Sequence, residues 1–254
     1  MENINFNDIK CDLSKIVQAI AKATGPDIRE FMATSDHETD NCIRLLRGDF
    51  INTNLRDMAE GMELHSFKRY SWDGRLLIDR RNNLTYSICT KQTLDAIPKT
   101  KGRHIPHYLQ TILHIQNTKV KPMYEQMTLP GMGTGITVFD EDEYREDYKK
   151  VMGDDLALDD NYTHLVVTYE AEHGEITYIA AKLLDPNCNL SKEWSLMDLL
   201  KPDYIDLTVN MGEESKTNDT HDLIAIKPSL IKAKEKQVQE PLVSAKQQEG
   251  EKQA

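Results

Sequence analysis

The chain has 254 residues, 39% of them hydrophobic, four cysteines and a formal charge of −11. That length suits one large domain or two small ones, able to bury about 70% of the unfolded surface without a metal or disulfide staple. The cysteines (Cys11, Cys42, Cys89, Cys188) form no C-x-x-C pair, the N-terminus MENINFNDIK is polar and acidic, and no apolar run approaches about 20 residues. These features argue against a zinc site, a disulfide framework, a signal peptide and a membrane contact, and lead us to expect a cytoplasmic protein with reduced thiols.

The net charge hides an asymmetry. Residues 65–121 carry 11 Lys/Arg against 3 Asp/Glu, whereas residues 138–222 carry 7 against 22. A basic middle attracts polyanions and an acidic second half repels them.

In chain order, Ile9, Leu13, Ile16, Val17 and Ile20 recur at helical spacing and predict a helix from about Asp8 to Thr24, with Asn7 as its cap. Gly25-Pro26 ends it and starts a short second helix, PDIREFMA. Residues 35–41 read as a loop, and 42–62 as a further helical stretch loosened near Gly48. The period then changes to two. Residues 65–90 read as a three-stranded meander with two-residue turns at Asp73-Gly74 and Asn82-Asn83. That register pairs Trp72 with Arg75, Tyr70 with Leu77 and Leu77 with Ile88, and it places Tyr70, Trp72, Leu77, Leu84, Tyr86 and Ile88 on a core face. The opposite face, with Arg69, Arg80, Thr85, Ser87 and Cys89 beside Phe67, Leu76 and Ile78, is mixed.

A short helical piece and a basic loop follow over 91–103, then a helix over 106–117. Tyr108, Leu109, Ile112 and Ile115 form its apolar side; His107, Gln110, Thr111, His114 and Asn117 form a polar stripe. Residues 119–137 are irregular. Asp140 and Glu143 make a capping box for a helix over 141–152 that buries Tyr144, Tyr148 and Val151 and stops at Gly153. A second hairpin joins 164–170 to 176–184 around Glu172-His173-Gly174. Ser191–Leu200 is expected to be helical, a last strand to lie at 223–226, and the Lys/Glu/Gln-rich tail from 227 to be disordered.

The fragments DFINTNL (49–55), RYSWDGRLLIDRRNNLTYSIC (69–89), HYLQTILHIQN (107–117) and HLVVTYE…EW (164–194) occur here in that order. In this they resemble a family of uncharacterised proteins of Gram-positive bacteria and their mobile elements, over about residues 15–205. The resemblance implies a bacterial, intracellular, single-domain protein and carries over no activity and no functional residue.

Reaction-ready patterns are weak. Gly131-Met132-Gly133-Thr134-Gly135 lacks the G-K-[ST] ending of a phosphate-binding loop. His107 and His114 lie two helical turns apart, about 10.5 Å, too far to hold one ion alone. Asp140–Glu143 is explained by its helix N-terminus, and Asp154, Asp155, Asp159 and Asp160 lack the glycine and glutamate of an EF-hand loop. Asp79 has no E-x-K pair nearby, and no G-x-S-x-G elbow or Cys/His context occurs. No cofactor, metal or catalytic residue is assigned.

The strongest candidate is the basic surface: Arg69, Arg80, Arg81, Lys91, Lys99, Lys101, Arg103, Lys119 and Lys121, with His107, Gln110 and His114 between them, arranged for phosphate oxygens. Its alternative is internal pairing with the acidic half. The expected fold is α+β: N-terminal helices over 1–62, a three-stranded antiparallel meander, a helix, a second antiparallel hairpin with a C-terminal helix, in one domain over 1–226. The expected function is a noncatalytic binding or regulatory protein with an unknown protein partner. Its alternatives are a nucleic-acid-binding protein using 65–121, an enzyme of unrecognised kind, and a polyanion mimic using the acidic half.

Overall fold

The computed structural model describes residues 4–36, 38–39, 41–124, 139–158 and 160–201. The expected strand at 223–226, the glycine run at 131–135 and the tail lie outside the described residues.

The order is α1 (Phe6–Thr24), α2 (Pro26–Thr34), α3 (Ile43–Met58), β1 (Glu63–Arg69), β2 (Trp72–Asp79), β3 (Leu84–Thr90), α4 (Lys91–Ala96), α5 (Tyr108–Gln116), α6 (Glu141–Met152), β4 (Thr163–Glu172), β5 (Glu175–Leu184) and β6 (Leu190–Ser195), followed by a 3-10 turn at Met197–Leu199. The fold is mixed α+β. One six-stranded sheet runs β1-β2-β3-β4-β5-β6, and every neighbouring pair is antiparallel except β3–β4. The two expected antiparallel units are thus halves of one sheet. Strand β3 needs a long crossover to reach a parallel neighbour, and α4, α5 and α6 occupy it.

Both sheet faces are covered. On one side α1 and α3 pack Leu13, Ile16, Val17, Ile20, Ile51 and Leu55 onto Leu77, Leu84, Tyr86, Leu165, Val167 and Ile179. On the other, α5 and α6 pack Leu109, Ile112, Leu113, Tyr148 and Val151 onto Phe67, Leu76, Ile78 and Val166. The face that reads as mixed in sequence is therefore a second core. Its Thr85, Ser87 and Thr168 are buried beside the apolar residues.

Helices α1 and α2 lie where the sequence puts them, with Asn5 rather than Asn7 capping α1 through the Asn7 amide. Helix α3 runs unbroken through Gly48, where a loosening was expected, and ends at Met58 rather than near Met62. The α6 capping box of Asp140 and Glu143 is present, and Gly153 ends that helix. His173 and Gly174, both at positive φ, make the tight turn between β4 and β5.

The first hairpin departs from expectation. Its turn is Tyr70-Ser71, with Tyr70 at φ 55°, and Arg69 pairs with Trp72, Lys68 with Asp73 and Phe67 with Gly74. Asp73-Gly74 lies inside β2. A Cβ added at Gly74 would meet the Phe67 ring at 2.2 Å, so glycine here serves close approach rather than a turn. Trp72 consequently belongs to β2 instead of β1 and changes face. Tyr70 is 82% exposed and Trp72 49% exposed, not core. The second turn spans the four residues 80–83, so Leu77 pairs with Tyr86, not Ile88. The Asp79 carboxylate explains this longer loop: it accepts from the Arg81 and Asn82 amides and from the Asn82 side chain.

Residues 191–200 do not form the expected helix; only Met197–Leu199 makes a 3-10 turn. Leu190–Ser195 adds as edge strand β6, where Trp194 pairs with Ala181 and lies beneath the Lys192 ammonium, 4.8 Å from its ring centroid. Replacing Gly74 by alanine should cost roughly 1–3 kcal/mol, because the Phe67 ring must leave its place over the strand. A urea titration checks this, and a loss below about 0.5 kcal/mol would mean that the ring moves freely.

Candidate functional site

The basic segment meets the acidic half of its own chain at several points. Arg69 pairs with Asp147 of α6 and donates to the Pro106 carbonyl at 2.8 Å. Arg80 pairs with Glu63 at 2.7 Å and leans on the Asp155 carbonyl. Arg81 spans Asp12 at 2.8 Å and Asp79 at 3.6 Å. Lys91 reaches Asp95 and Glu170. His114 contacts Glu141 at 2.8 Å and stacks on Tyr144. Lys99, Lys101, Lys119 and Lys121 are exposed and carry no ion pair among the described residues. Arg103 is half-buried, with one guanidinium nitrogen unpartnered.

The stripe expected on α5 is structural. His107 is the N-cap, accepting from the Leu109 amide, and Gln110 closes the capping box. Burial, with Arg103 and Arg69 nearby, pushes the His107 imidazole down to about 3, so it is neutral at pH 7. Gln110, Thr111 and Asn117 are buried. Thr111 donates to Asp147, and Gln116 bridges Thr85 and the Tyr148 hydroxyl. A polar stripe at i, i+3, i+4, i+7 marks a solvent face only where no second layer covers it; here α6 and the sheet do.

A cavity of about 400 Å³ lies elsewhere, where the sheet splits. The β2–β3 ladder ends at Leu77–Tyr86, yet both strands continue: 72–76 pair only with β1, and 87–90 only with β4. The far end of β2 follows a ring cluster in which Phe67 and Trp72 sit 5.6 Å apart and Trp72 and Tyr108 5.4 Å apart. Strand β3 stays with β4 and runs into α4. The gap is lined from α3 by Arg44, Asp49 and Asn52, from the first hairpin by Trp72, Asp73 and Arg75, and from the floor by Tyr86, Ile88 and Tyr169. Alternation sends Asp73 and Arg75 to the α3 side and Trp72 to the α5 side, so the cleft runs through the sheet.

Two arginines, Arg44 and Arg75, line the cleft. Neither has an acidic partner within ion-pair distance among the described residues, whereas Arg69, Arg80 and Arg81 all do. Arg75 donates to the Gly74 carbonyl. Arg47, one turn beyond Arg44, has its Nε buried without a partner and lowers the pKa of the Tyr169 hydroxyl, which burial otherwise raises. Helix α3 has Cys42 as its N-cap, with no side-chain cap hydrogen bond and no acid in its first turn, so the helix dipole adds positive potential beside Arg44. Asp49 and Asp73 offset part of this charge. Cys89 also lines the cleft, but burial pushes its thiol up to about 12, so it is no nucleophile at neutral pH.

Sequence reasoning missed this site for two reasons. Arg44 lies outside the basic segment, and Trp72 reads as core under the expected register. The available signal was Arg44 on a helical stretch with Gly48, not an acid, four residues on.

Among the described residues, no group of three or more His, Cys, Asp or Glu is placed to hold a metal ion, and no helix is long and apolar enough to cross a membrane. No curated protein and no solved structure matches the chain. A family model matches residues 8–245, and with that coverage the chain belongs to the family of unknown function DUF5986.

Proposed function

We propose that this is a noncatalytic binding protein of the bacterial cytoplasm whose ligand is an anion held at the mouth of the split-sheet cleft. One observation carries the reading: Arg44 and Arg75 both line the cleft, and neither has a carboxylate partner among the described residues. Arginines left unneutralised in a concave, partly desolvated site are suited to phosphate or carboxylate oxygens. The four free cysteines support a reducing compartment.

Inorganic tripolyphosphate is the probe. Calorimetric titration should give saturable binding that weakens tenfold or more in Arg44→Ala and Arg75→Ala, with both variants keeping the parent melting temperature within about 2 °C. Binding that is absent, or indifferent to both substitutions, overturns the reading.

A second reading keeps polyanion contact on the basic segment, favoured by Lys99, Lys101, Lys119 and Lys121, which are exposed and form no ion pair among the described residues. Retention on immobilised single-stranded DNA should then fall steeply with salt. It should also drop on changing Lys99 and Lys101 to Gln while ignoring Arg75→Ala.

A further inference from the structure

We infer that the anion bound in the cleft is the phosphate of a nucleotide unit, with its base against Trp72; this rests on the reading just given and adds the chemistry of the ligand. The cleft has two chemically different ends. On the α3 side stand Arg44 and Arg75, without acidic partners among the described residues, which offer charge and donors to a phosphate. On the α5 side stand aromatic rings. Trp72 rests one side on Tyr108 and leaves 49% of its surface to solvent, an arrangement that holds an indole in place while keeping area available for stacking.

Size agrees with this division. About 400 Å³ is near the lower end of small-molecule sites and accommodates one nucleotide, not a folded partner. The polar groups between the ends, Asn52 on α3 and Ser71 at the hairpin turn, supply an amide and a hydroxyl for sugar and base edges. An aliphatic phosphate would leave the aromatic end unused, and an uncharged aromatic compound would leave Arg44 and Arg75 unpaired. The unit is either a free mononucleotide or one residue of a single strand; the chemistry is the same.

The protein contains two tryptophans, so Trp194→Phe leaves Trp72 as the sole indole reporter. In that background the titrants are adenosine 5′-monophosphate, ribose 5-phosphate, tripolyphosphate, an eight-residue deoxyadenosine strand and an abasic strand of equal length. The expected result is saturable quenching of Trp72 by the mononucleotide or the strand, with affinity at least about tenfold above the baseless counterpart. Trp72→Leu, read by calorimetry, should remove that advantage while leaving tripolyphosphate binding unchanged, and Trp72→Phe should restore part of it. Preference for the mononucleotide identifies a free nucleotide as the source, and preference for the strand identifies nucleic acid. Equal affinity with and without the base overturns the inference; if tripolyphosphate still binds through Arg44 and Arg75, the anion-binding reading survives it. Loss of tripolyphosphate binding as well sinks both.

Discussion

Asn117→Ala should destabilise the protein by roughly 3–5 kcal/mol, lowering the melting temperature by about 10 °C. Asn117 is the C-cap of α5 and is buried. Its amide nitrogen donates to the carbonyls of His164, at 3.0 Å, and Leu184, at 2.7 Å, and its carbonyl oxygen accepts from the His164 amide at 2.8 Å. The β4–β5 ladder stops at Leu165–Leu183, and His164–Leu184 would be its next rung. The side chain stands in for that rung and fastens the crossover helix to two strands. Alanine leaves three buried backbone groups without this partner, and water cannot replace it in a layer packed on both sides. Urea unfolding with an unchanged m-value measures the effect, and Thr118→Ala, at the exposed neighbouring position, is the control expected within about 0.5 kcal/mol. A cost below about 1 kcal/mol would show that strand ends, not this amide, carry the junction.

Stability should also fall as the solution is acidified from about pH 6.5 toward pH 3, with His164 a principal cause. This imidazole is fully buried, and burial pushes it down to about 3. Both ring nitrogens are occupied: Nδ1 lies 2.7 Å from the Thr85 hydroxyl and Nε2 2.8 Å from that of Ser87. Thr85 already donates to Gln116, so the network assigns Nδ1–H as donor to Thr85 and Nε2 as acceptor from Ser87. The ring is thus held in its neutral form. Its folded pKa is depressed, so below about pH 6.5 the unfolded chain takes up a proton that the folded chain refuses. No penalty exists above that value. It grows by about 1.4 kcal/mol per pH unit below it and reaches roughly 3–5 kcal/mol near pH 3. His164→Gln, which offers an amide to the same hydroxyls, should flatten the dependence of unfolding free energy on pH by nearly one proton between pH 6 and pH 4. Identical slopes for parent and variant would remove His164 from the account, leaving His107, whose imidazole burial also lowers to about 3.

Much of the fold was legible because it is written locally. The apolar spacing of α1, the Gly25-Pro26 break, the α6 capping box and the His173-Gly174 turn each need only a few neighbouring residues, and each is present. The errors share a cause of the opposite kind. Asp73-Gly74 has turn chemistry, but the strand passes through it because the Phe67 ring needs a residue without a side chain beneath it. Residues 191–200 carry the spacing of a helix, but β5 offers an edge on which Leu190–Ser195 pairs as an extended strand. Competition of this sort is invisible in a window of ten residues.

The cleft belongs to the same category. Arg44 on α3 and Arg75 on β2 are 31 positions apart, and nothing in the sequence between them says that they share a cavity. Charge counting drew attention to 65–121, where the arginines fold onto acids: Arg69 onto Asp147, Arg81 onto Asp12 and Asp79. Of the two arginines that line the cleft, Arg44 lies outside that segment, and Arg75 was counted in it without being singled out.

Side-chain alternation is a property of consecutive residues, so the buried faces carrying Leu77, Leu84 and Tyr86, and opposite them Leu76 and Ile78, follow from the chain itself whichever turn closes the hairpin. Which residue turns, which strand lies beside which, and where two strands part company depend on rings and helices arriving from distant positions. Packing energy between layers outweighs the small local preference of a two-residue turn, and that balance left Trp72 at the mouth of a cleft rather than in the core.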